Sequence, residues 1–295
     1  MFGEIQTKYG GFFSSPLPFS NILLPLPQNL SKMEEINIVK IGGKVIDDEN
    51  ARNEFLARLA KIKKNIVLVH GGGKVANQVL TSMGIEPKMV NGRRITDADT
   101  LRVVTMVYTG LINKTITAKL NSLNRCSVGI SGVDGVLLDA VKRPVKDIDY
   151  GFAGDITPEG VNAQLLIDLV SNGYTPVIAT IAADKNAQLL NINADTVAST
   201  LAAGLAQKVK TNLFFCFEKK GVLMDANDDN SVIPLLNSEN YPKLSAQGIF
   251  SDGMIPKLEN AFNTINKGVN KVIIGNSNDV EGFFEAEHKG TMICK

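Results

Sequence analysis

The chain has 295 residues, of which 44% are apolar and 21% are charged, so it carries enough apolar sequence for one large domain or two lobes. Its 31 basic and 30 acidic side chains give a formal net charge of +1, which argues against nucleic acid and anionic membranes as partners. Three cysteines and two histidines, widely spaced and outside any C-x-x-C pattern, argue against a zinc site and a disulfide framework and favour a cytoplasmic protein.

The first 32 residues are expected to be an extension of the folded domain. Four prolines interrupt the apolar residues there: Pro16, Pro18, Pro25 and Pro27. They exclude a membrane-spanning helix, and the stretch lacks the A-x-A site of a signal peptide. Because Met33 directly precedes the first strand pattern, residues 1–32 are either a floppy tail or a mis-assigned start, and residues 33–295 form a single domain.

From Ile36 onward, short β-branched runs alternate with longer helical patterns. In chain order, the sequence predicts a strand (36–41), a helix (49–63), a strand (66–70), two helices (74–82 and 101–123), two strands (127–131 and 135–141), a helix (161–172), a strand (175–181), a helix (194–205), a strand (212–217), an apolar segment (221–225), a helix (256–266) and a strand (271–276). Gly173 is placed to cap the helix before it. This alternation predicts an α/β fold with a mostly parallel central sheet, whose ligands bind at the carboxyl ends of the strands.

The glycines of V-L-V-H-G-G-G-K-V-A follow a predicted strand and open a helix, where backbone N–H groups can bind an anion. Gly71, Gly73 and Ala76 also satisfy the dinucleotide-binding pattern. However, no acidic residue follows at the expected offset of ~20 residues, which disfavours a hydride-transfer enzyme. The phosphate-loop pattern G-x-x-x-x-G-K-[ST] is absent, so a nucleoside triphosphate would need a different arrangement.

The stretch V-K-I-G-G-K offers a different arrangement for binding a nucleoside triphosphate, because Lys40 ends a predicted strand beside Gly42 and Gly43. A lysine there can place positive charge where a transferring phosphoryl group accumulates negative charge, and the glycines admit phosphate to the backbone. Taken alone, Lys40 also fits the solvated end of a strand.

Two further segments place charged residues at predicted helix starts. Asp195 follows Asn191 in L-N-I-N-A-D-T-V-A, where it could simply cap the next helix. Lys257 falls in the first turn of a helix in S-D-G-M-I-P-K-L, where a cation opposes the helix dipole and needs an anionic partner. Lys40, Lys257 and Asp195 together would suit phosphoryl transfer, with two ammonium groups neutralising the transferring group and a carboxylate fixing their positions. An acceptor that is itself a carboxylate would need no general base.

The chain resembles the acetylglutamate kinases of arginine biosynthesis. Five motifs carry the resemblance, in that family's order and spacing: V-K-I-G-G-K, V-H-G-G-G, N-G-R-R-I-T-D, N-I-N-A-D-T-V-A and S-D-G-M-I-P-K-L. It runs from about Met33 to the C-terminus. It implies the amino acid kinase fold, a three-layer αβα sandwich in which residues 33–190 form the acyl-amino-acid and dimerisation lobe and residues 191–295 the nucleotide lobe. It also implies a homodimer that uses ATP and Mg²⁺ to phosphorylate the γ-carboxylate of an N-acyl-glutamate.

The resemblance assigns roles to the charged residues and the first glycine pair. Lys40 and Lys257 would be the two transition-state lysines, which also contact the nucleotide's phosphates, and Asp195 would be the carboxylate that organises them. Gly42 and Gly43 would lie against the phosphates, with the backbone of Gly43 donating near the reacting group. No side chain is expected to bind the metal directly.

The resemblance also assigns the acceptor's binding residues. Arg94 and Asn191 match positions that hold the α-carboxylate and the amide-bearing region of the substrate, and a guanidinium suits a carboxylate bidentately. Gly72 and Gly73 would add backbone donors. Arg93 is either a solvated surface residue or the reader of a longer acyl group such as succinyl.

Other residues keep two interpretations. His70 fits packing or hydrogen bonding better than general-base catalysis, because a carboxylate acceptor is already ionised at neutral pH. The segment F-F-C-F-E-K-K-G-V-L departs from the Thr-Asp or Ser-Asp pair of the family, so Lys219 and Lys220 either reach phosphates or belong to a solvated loop. Cys216 fits a buried strand better than a catalytic thiol.

Two rival functions remain open at this point. One is a carbamate or aspartate kinase of the same fold, although these do not explain N-G-R-R-I-T together with N-I-N-A-D. The other is a catalytically idle sensor of arginine or nucleotide, suggested by the altered F-E-K-K-G segment. The proline-rich extension lacks the 3.6-residue period of the N-terminal helix through which arginine-inhibited members form hexamers, so no hexamer of that kind is expected.

Overall fold

The computed structural model describes residues 34–90, 92–250, 254–285 and 289–295. The extension expected at residues 1–32 lies outside these ranges. Within them, no helix combines the length and the apolar character needed to cross a membrane.

The elements alternate along the chain much as the sequence predicts. The first part contains β1 (Ile36–Ile41), α1 (Lys44–Asp47), α2 (Glu49–Lys61), β2 (Ile66–His70), α3 (Gly73–Ser82), β3 (Met89–Val90), β4 (Arg93–Arg94), α4 (Ala98–Thr105), a π-helical segment (Met106–Ile112), α5 (Asn113–Ser122), β5 (Ser127–Ser131), β6 (Leu138–Lys142), β7 (Gly154–Val161), α6 (Ala163–Ser171), β8 (Thr175–Ala179), β9 (Ile181–Ala183) and β10 (Leu189–Asn191). The second part contains α7 (Ala194–Ala206), β11 (Thr211–Phe217), β12 (Leu235–Leu236), α8 (Asn240–Ala246), α9 (Ile255–Asn266), β13 (Lys271–Asn276) and β14 (Thr291–Ile293).

Among the described residues, eight strands form the central sheet in the order β12-β14-β13-β11-β1-β2-β8-β5. Neighbouring strands are parallel except for β13 and β14. The first strand of the domain, β1, lies in the interior of the sheet between β2 and β11. The prediction of an α/β fold with a mostly parallel central sheet is therefore confirmed.

Helices cover both faces of this sheet and give three layers. Because side chains alternate along a strand, Ile36 and Ile38 of β1 enter one core with α6, α7 and α9. Val39 and Ile41 enter the opposite core with α2, α3, α4 and α5. By the same alternation, Lys40 projects toward the face covered by α7 and α9, the helices that carry Asp195 and Lys257.

Several predicted boundaries are wrong. The helix predicted at 101–123 starts at Ala98, ends at Ser122 and contains the π-helical segment. The strand predicted at 135–141 begins only at Leu138, after a 3₁₀ turn. The helix predicted at 161–172 begins at Ala163, because β7 continues to Val161.

One further prediction differs from the structure. The strand predicted at 175–181 is interrupted at Thr180, where the chain leaves the central sheet and enters a second sheet of order β10-β9-β6-β7. The apolar segment at 221–225, for which the sequence predicts neither strand nor helix, contains a bridge from Leu223 to Val232. The predicted cap is confirmed: Gly173 follows α6 with φ +81° and donates its N–H to the carbonyl of Val170.

Candidate active site

Lys40 forms a close ion pair with Asp195 at the carboxyl end of β1. Lys40 Nζ lies 2.7 Å from Asp195 Oδ1, and the two side chains are only 10% and 28% exposed. A pair this shielded interacts more strongly than a surface pair, and either charge would be costly to bury without the other. The alternative of Lys40 as a solvated strand end is therefore wrong.

The side chain of Asn193 caps α7, which leaves Asp195 available to Lys40. Asn193 Oδ1 accepts hydrogen bonds from the N–H groups of Asp195 and Thr196, at 2.9 and 3.1 Å. The alternative of Asp195 as the helix cap is therefore wrong. Asp195 instead lies in the first turn of the helix, where the dipole favours a carboxylate.

Lys257 approaches the same pair from the first turn of α9. Burial lowers the pKa of Lys257, the charge of Lys40 lowers it further, and Asp195 opposes both effects. Lys257 Nζ lies 4.2 Å from the centre of the Phe217 ring, at the end of β11. The structure thus brings together the three charged residues that were predicted from separate segments.

These residues line a cavity of about 400 Å³, called here the lysine cavity. Its walls include Lys40, Gly42, Gly43, Asp195, Cys216, Phe217, Glu218, Lys219, Gly221, Met254, Lys257 and Ile274. A side chain at position 42 would displace the ammonium group of Lys40, because its Cβ would lie 2.9 Å from Lys40 Nζ. Gly43 takes a positive φ of 53° and starts α1.

A second cavity of about 190 Å³, called here the arginine cavity, contains the predicted acceptor-binding residues. It is lined by Gly71, Gly72, Gly73, Met89, Gly92, Arg93, Arg94, Tyr108, Ala153, Gly154, Thr180, Asn191, Ile192, Asn193 and Ala194. The segment from Asn193 to Asp195 joins the two cavities, since its first two residues line one and its last lines the other.

Arg94 is the buried cation of the arginine cavity, with 6% of its surface exposed. Its Nη2 donates to the carbonyl of Gly73 at 2.9 Å. Its Nη1 is also buried and has no hydrogen-bond partner among residues 34–90, 92–250, 254–285 and 289–295. A buried guanidinium with donors to spare favours an anionic ligand such as a carboxylate.

Asn191 is held beside Arg94 by a short chain of hydrogen bonds. Asn191 Nδ2 donates to Thr96 Oγ1 at 3.1 Å, and Thr96 Oγ1 donates to the carbonyl of Arg94 at 3.1 Å. Thr96 is fully buried. The amide oxygen of Asn191 takes no part in this chain, and the side chain lines the cavity.

Gly72 sits where no other residue fits. Its φ is +153°, and a Cβ there would lie 2.1 Å from Ile112 Cδ1 and 3.2 Å from the Tyr108 ring. Both neighbours belong to the π-helical segment. Gly72 directly precedes α3, and its neighbours Gly71 and Gly73 present the backbone at the cavity wall.

His70 is hydrogen-bonded to the backbone of this glycine turn. Its Nδ1–H donates to the carbonyl of Gly71 at 2.9 Å, and its Nε2 accepts from Asn113 Nδ2 at 3.1 Å. Asn113 Nδ2 also donates to the carbonyl of Val177, which fixes the orientation of the amide. Burial lowers the pKa of His70 to about 4, so the ring is neutral and both nitrogens are occupied. The geometry favours the hydrogen-bonding role over the general base.

The basic residues of the altered segment have polar partners within their own loop, although Lys219 also contributes to the wall of the lysine cavity. Lys219 Nζ pairs with Asp229 at 2.7 Å, and Lys220 Nζ donates to Asn230 at 2.9 Å, both in an exposed loop. Cys216 is buried, and burial raises the pKa of its thiol to about 12. These observations favour the solvated loop and the structural cysteine.

Sequence reasoning did not single out three residues at or beside the two cavities. Tyr108 contacts Arg94 but belongs to a segment without a recognisable motif. Thr96 contacts Asn191 and lies within N-G-R-R-I-T-D, but the motif alone gave it no role. Phe217 lies under the lysines, and its one signal was the departure of F-E-K-K from the family pattern. In the described part of the chain, no group of three or more His, Cys, Asp or Glu side chains could hold a metal ion.

The two adjoining cavities combine a paired set of two ammonium groups and a carboxylate with a buried guanidinium. This arrangement suits the movement of an anionic group between two anionic molecules, because the charges face the place where negative charge would concentrate. It lacks the paired nucleophile and base of a hydrolase among the residues that line it.

Comparison with known proteins gives a consistent result. Residues 35–276 match the sequence model of the Amino acid kinase family. The chain is 48% identical over 262 residues to an acetylglutamate kinase of Phocaeicola vulgatus, covering 89% of this chain and 99% of the relative. It is 52% identical over 244 residues to an acetylglutamate kinase of Cytophaga hutchinsonii, covering 82% and 91%. The crystal structure of smu.665 from Streptococcus mutans UA159 superposes with a TM-score of 0.69 at 27% identity, over 88% of this chain and 98% of that one. The chain belongs to the amino acid kinase family and groups with its acetylglutamate kinases.

Proposed function

We propose that the protein is an ATP-dependent kinase that phosphorylates the γ-carboxylate of N-acetyl-L-glutamate, producing an acyl phosphate and ADP for arginine biosynthesis. The observation that carries the proposal is the cluster of Lys40, Asp195 and Lys257 at the junction of the two cavities. The relatives at 48% and 52% identity, both named acetylglutamate kinase, support the choice of acceptor.

In the proposed reaction, a γ-carboxylate oxygen forms a bond to the γ-phosphorus while the bond to the β–γ bridging oxygen breaks and ADP leaves. The acceptor is ionised at neutral pH and transfers no proton, so no general base is required. Lys40 and Lys257 neutralise the charge that spreads over the phosphoryl oxygens, and Asp195 keeps the two ammonium groups apart and oriented. Positioning and charge neutralisation supply the catalysis.

The acceptor would lie in the arginine cavity. Arg94 would bind its α-carboxylate with the buried Nη1, Asn191 would hold its amide-bearing region, and the N–H groups of Gly72 and Gly73 would donate to the acceptor. The γ-carboxylate then faces Asp195 and the lysine cavity across the segment that joins the two.

ATP would place its phosphates in the lysine cavity, against Gly42 and Gly43. Mg²⁺ fits there as an ion held mainly by phosphate oxygens and water, because Asp195 already pairs with Lys40 and the other carboxylate of the wall is Glu218. When bound, the ion would offset the negative charge of the phosphates. No dedicated protein ligand for it is proposed.

We also propose the division into an acyl-amino-acid lobe, residues 33–190, and a nucleotide lobe, residues 191–295. The arginine cavity draws most of its wall from before residue 190, and the lysine cavity draws most of its wall from after it. The free state of the three cysteines supports the cytoplasm as its location.

A homodimer formed by the first lobe completes the proposal. Met83, Met89, Met106 and Leu111 of this lobe are each at least 50% exposed, and a partner subunit that covered them would remove apolar surface from water. Light scattering should give twice the chain mass, and Leu111→Glu should shift the protein toward the monomer. A monomeric wild-type protein would contradict this assembly.

A second acceptor, N-succinyl-L-glutamate, is favoured by one observation. Arg93 lines the arginine cavity, and the pKa of this half-buried guanidinium is lowered mainly by burial and then by the nearby charge of Arg143. An additional carboxylate on the acyl group would relieve that repulsion. An acetyl group would leave Arg93 without this role.

The test is ADP release with ATP and Mg²⁺, comparing N-acetyl-glutamate, N-succinyl-glutamate and free glutamate at equal concentrations, with carbamate and aspartate as further acceptors. We expect turnover with an acylated glutamate and little with the others. Arg93→Leu should weaken a succinyl preference but leave turnover of the acetyl substrate within about twofold. Nucleotide binding without turnover of any acceptor would overturn the kinase and favour the idle sensor.

A further inference from the structure

The ring of Phe217 lies within reach of both ammonium groups of the lysine cavity. Its centre is 4.2 Å from Lys257 Nζ and 5.8 Å from Lys40 Nζ. Both distances fall inside the range of about 6 Å in which a ring face attracts a cation. Phe217 follows Phe215 along β11 on the sheet face that α9 covers, and the two rings stack with their centres 6.2 Å apart.

The charges of the lysine cavity are unevenly compensated, and the ring of Phe217 can offset part of the imbalance. Two ammonium groups stand near one carboxylate, and Asp195 is 2.7 Å from Lys40, so Lys257 is left with the smaller share of the compensating charge. Like-charge repulsion between the lysines pushes them apart, and burial makes each charge more costly. The negative face of an aromatic ring offsets part of both effects.

We propose that Phe217 is a positioning residue, whose ring face holds the ammonium group of Lys257, and more weakly that of Lys40, in the orientation needed for phosphoryl transfer. The inference deepens the proposed kinase function and rests on it. It explains why an aromatic residue stands at the end of β11, in the segment F-E-K-K that the function had not otherwise accounted for.

A ring suits this position because it attracts charge without fixing a hydrogen-bond direction. A hydroxyl or a carboxylate beneath Lys257 would take one of its three N–H donors, whereas a π face leaves them available to phosphoryl oxygens. The stacked ring of Phe215, which is 4% exposed, supports Phe217 from the core side. Phe217 therefore stabilises the cation and limits where it can lie.

The sharpest test replaces Phe217 with phenylalanines that carry one, two and three fluorines, which keep the shape of the ring while weakening its negative face. We expect kcat to fall stepwise, by about tenfold over the series, which corresponds to about 1.4 kcal/mol in activation free energy. The KM for the acylated glutamate should stay within about twofold, because the arginine cavity is unchanged. The kcat of Phe217→Leu should be about as low as that of the most fluorinated variant. The kcat of Phe217→Tyr, which keeps an aromatic ring, should remain close to that of the wild type.

The matched control is the same fluorine series at Phe215, which changes the adjoining ring of the stack. It should leave kcat within about twofold. A flat kcat across the Phe217 series in an active enzyme would overturn the inference, as would equal losses at the two positions.

A second readout does not depend on turnover. In protein labelled with ¹³C at lysine Cε, with the Lys257 signal assigned by its loss in Lys257→Arg, fluorination of Phe217 should lower the pKa of Lys257 stepwise, because a weaker ring face favours the charged form less. If the wild-type protein shows no kinase turnover, this titration still decides whether the contact operates. A pKa of Lys257 that stays constant over the series would refute it.

Discussion

Acidification should destabilise the protein through the side chain of His70. In the folded state the ring is fully buried, and burial lowers its pKa from 6.5 to about 4. Its Nε2 must accept a hydrogen bond from Asn113 Nδ2, so a proton on that nitrogen would face a second donor. The unfolded chain binds this proton at a pH near 6.5, and the folded protein does so only near 4.

The sign and size of the effect follow from this difference. Because the folded pKa is the lower one, the stability that His70 contributes is present above a pH of 6.5 and is lost as the pH falls toward about 4. The gap is roughly 2.5 units, and at about 1.36 kcal/mol per unit it corresponds to roughly 3 kcal/mol of unfolding free energy. That is a large share of the ~5–15 kcal/mol typical of a folded protein.

The assay is urea denaturation of the wild type and of His70→Asn at several pH values between neutral and about 4. Other groups titrate in both proteins, so the difference between them isolates His70. The wild type should lose roughly 3 kcal/mol more than the variant over this interval. The imidazole signal that disappears in His70→Asn should titrate near pH 4 in the folded protein, and titration near 6.5, or equal acid losses in the two proteins, would refute the reasoning.

Three further predictions concern the lysines, the glycine turn and the buried thiol. Lys40→Ala and Lys257→Ala should each lower kcat by about 10²–10³-fold while raising the acceptor's KM by less than about tenfold in the ADP assay, and unchanged turnover in both would contradict their roles. Gly72→Ala should cost about 3 kcal/mol or more of unfolding free energy, because strain and a clash add. Gly84→Ala, at φ +75° with open space around it, should cost only about 1 kcal/mol, and equal losses in denaturation would contradict this account. Burial raises the pKa of the Cys216 thiol to about 12, so this residue should resist iodoacetamide at neutral pH in the native protein and react once the protein unfolds. Mass spectrometry can follow the labelling, and rapid labelling of the native protein would be evidence against the burial of Cys216.

The interior of the central sheet was the most predictable part of the fold. Strands β1, β2 and β13 lie where the sequence predicts them, because continuous apolar runs are typical of parallel strands. The second sheet was missed. Its strand β7 contains Pro158 and Gly160, two residue types that are typical of turns. Antiparallel pairing with β6 stabilises β7 as a strand in spite of this local preference.

The candidate site also has residues that the sequence could predict and contacts that it could not. Lys40, Asp195 and Lys257 were predictable because each stands at a strand end or helix start next to a motif, and the proposed phosphoryl transfer would use their charges. The contact between Lys257 and Phe217 was not predictable. It joins the end of a strand to a helix 40 residues later in the chain, and local sequence patterns do not indicate contacts between residues so far apart. The π-helical segment was also unpredictable, since its sequence continues the helical pattern on either side.

The interior position of β1 has a consequence for the way the chain is made. This strand is among the first parts of the domain to leave the ribosome, yet one of its two partners, β11, is synthesised about 175 residues later, as the bond between Asn37 and Asn212 illustrates. Until then the N–H and C=O groups on that edge of β1 have no partner strand, and an unpaired edge on an apolar strand promotes association between nascent chains. Residues on either side of position 190 therefore depend on each other in folding, and a fragment ending near residue 190 should aggregate when expressed alone. Lys40, synthesised early, meets Asp195 and Lys257 only when the chain is nearly complete.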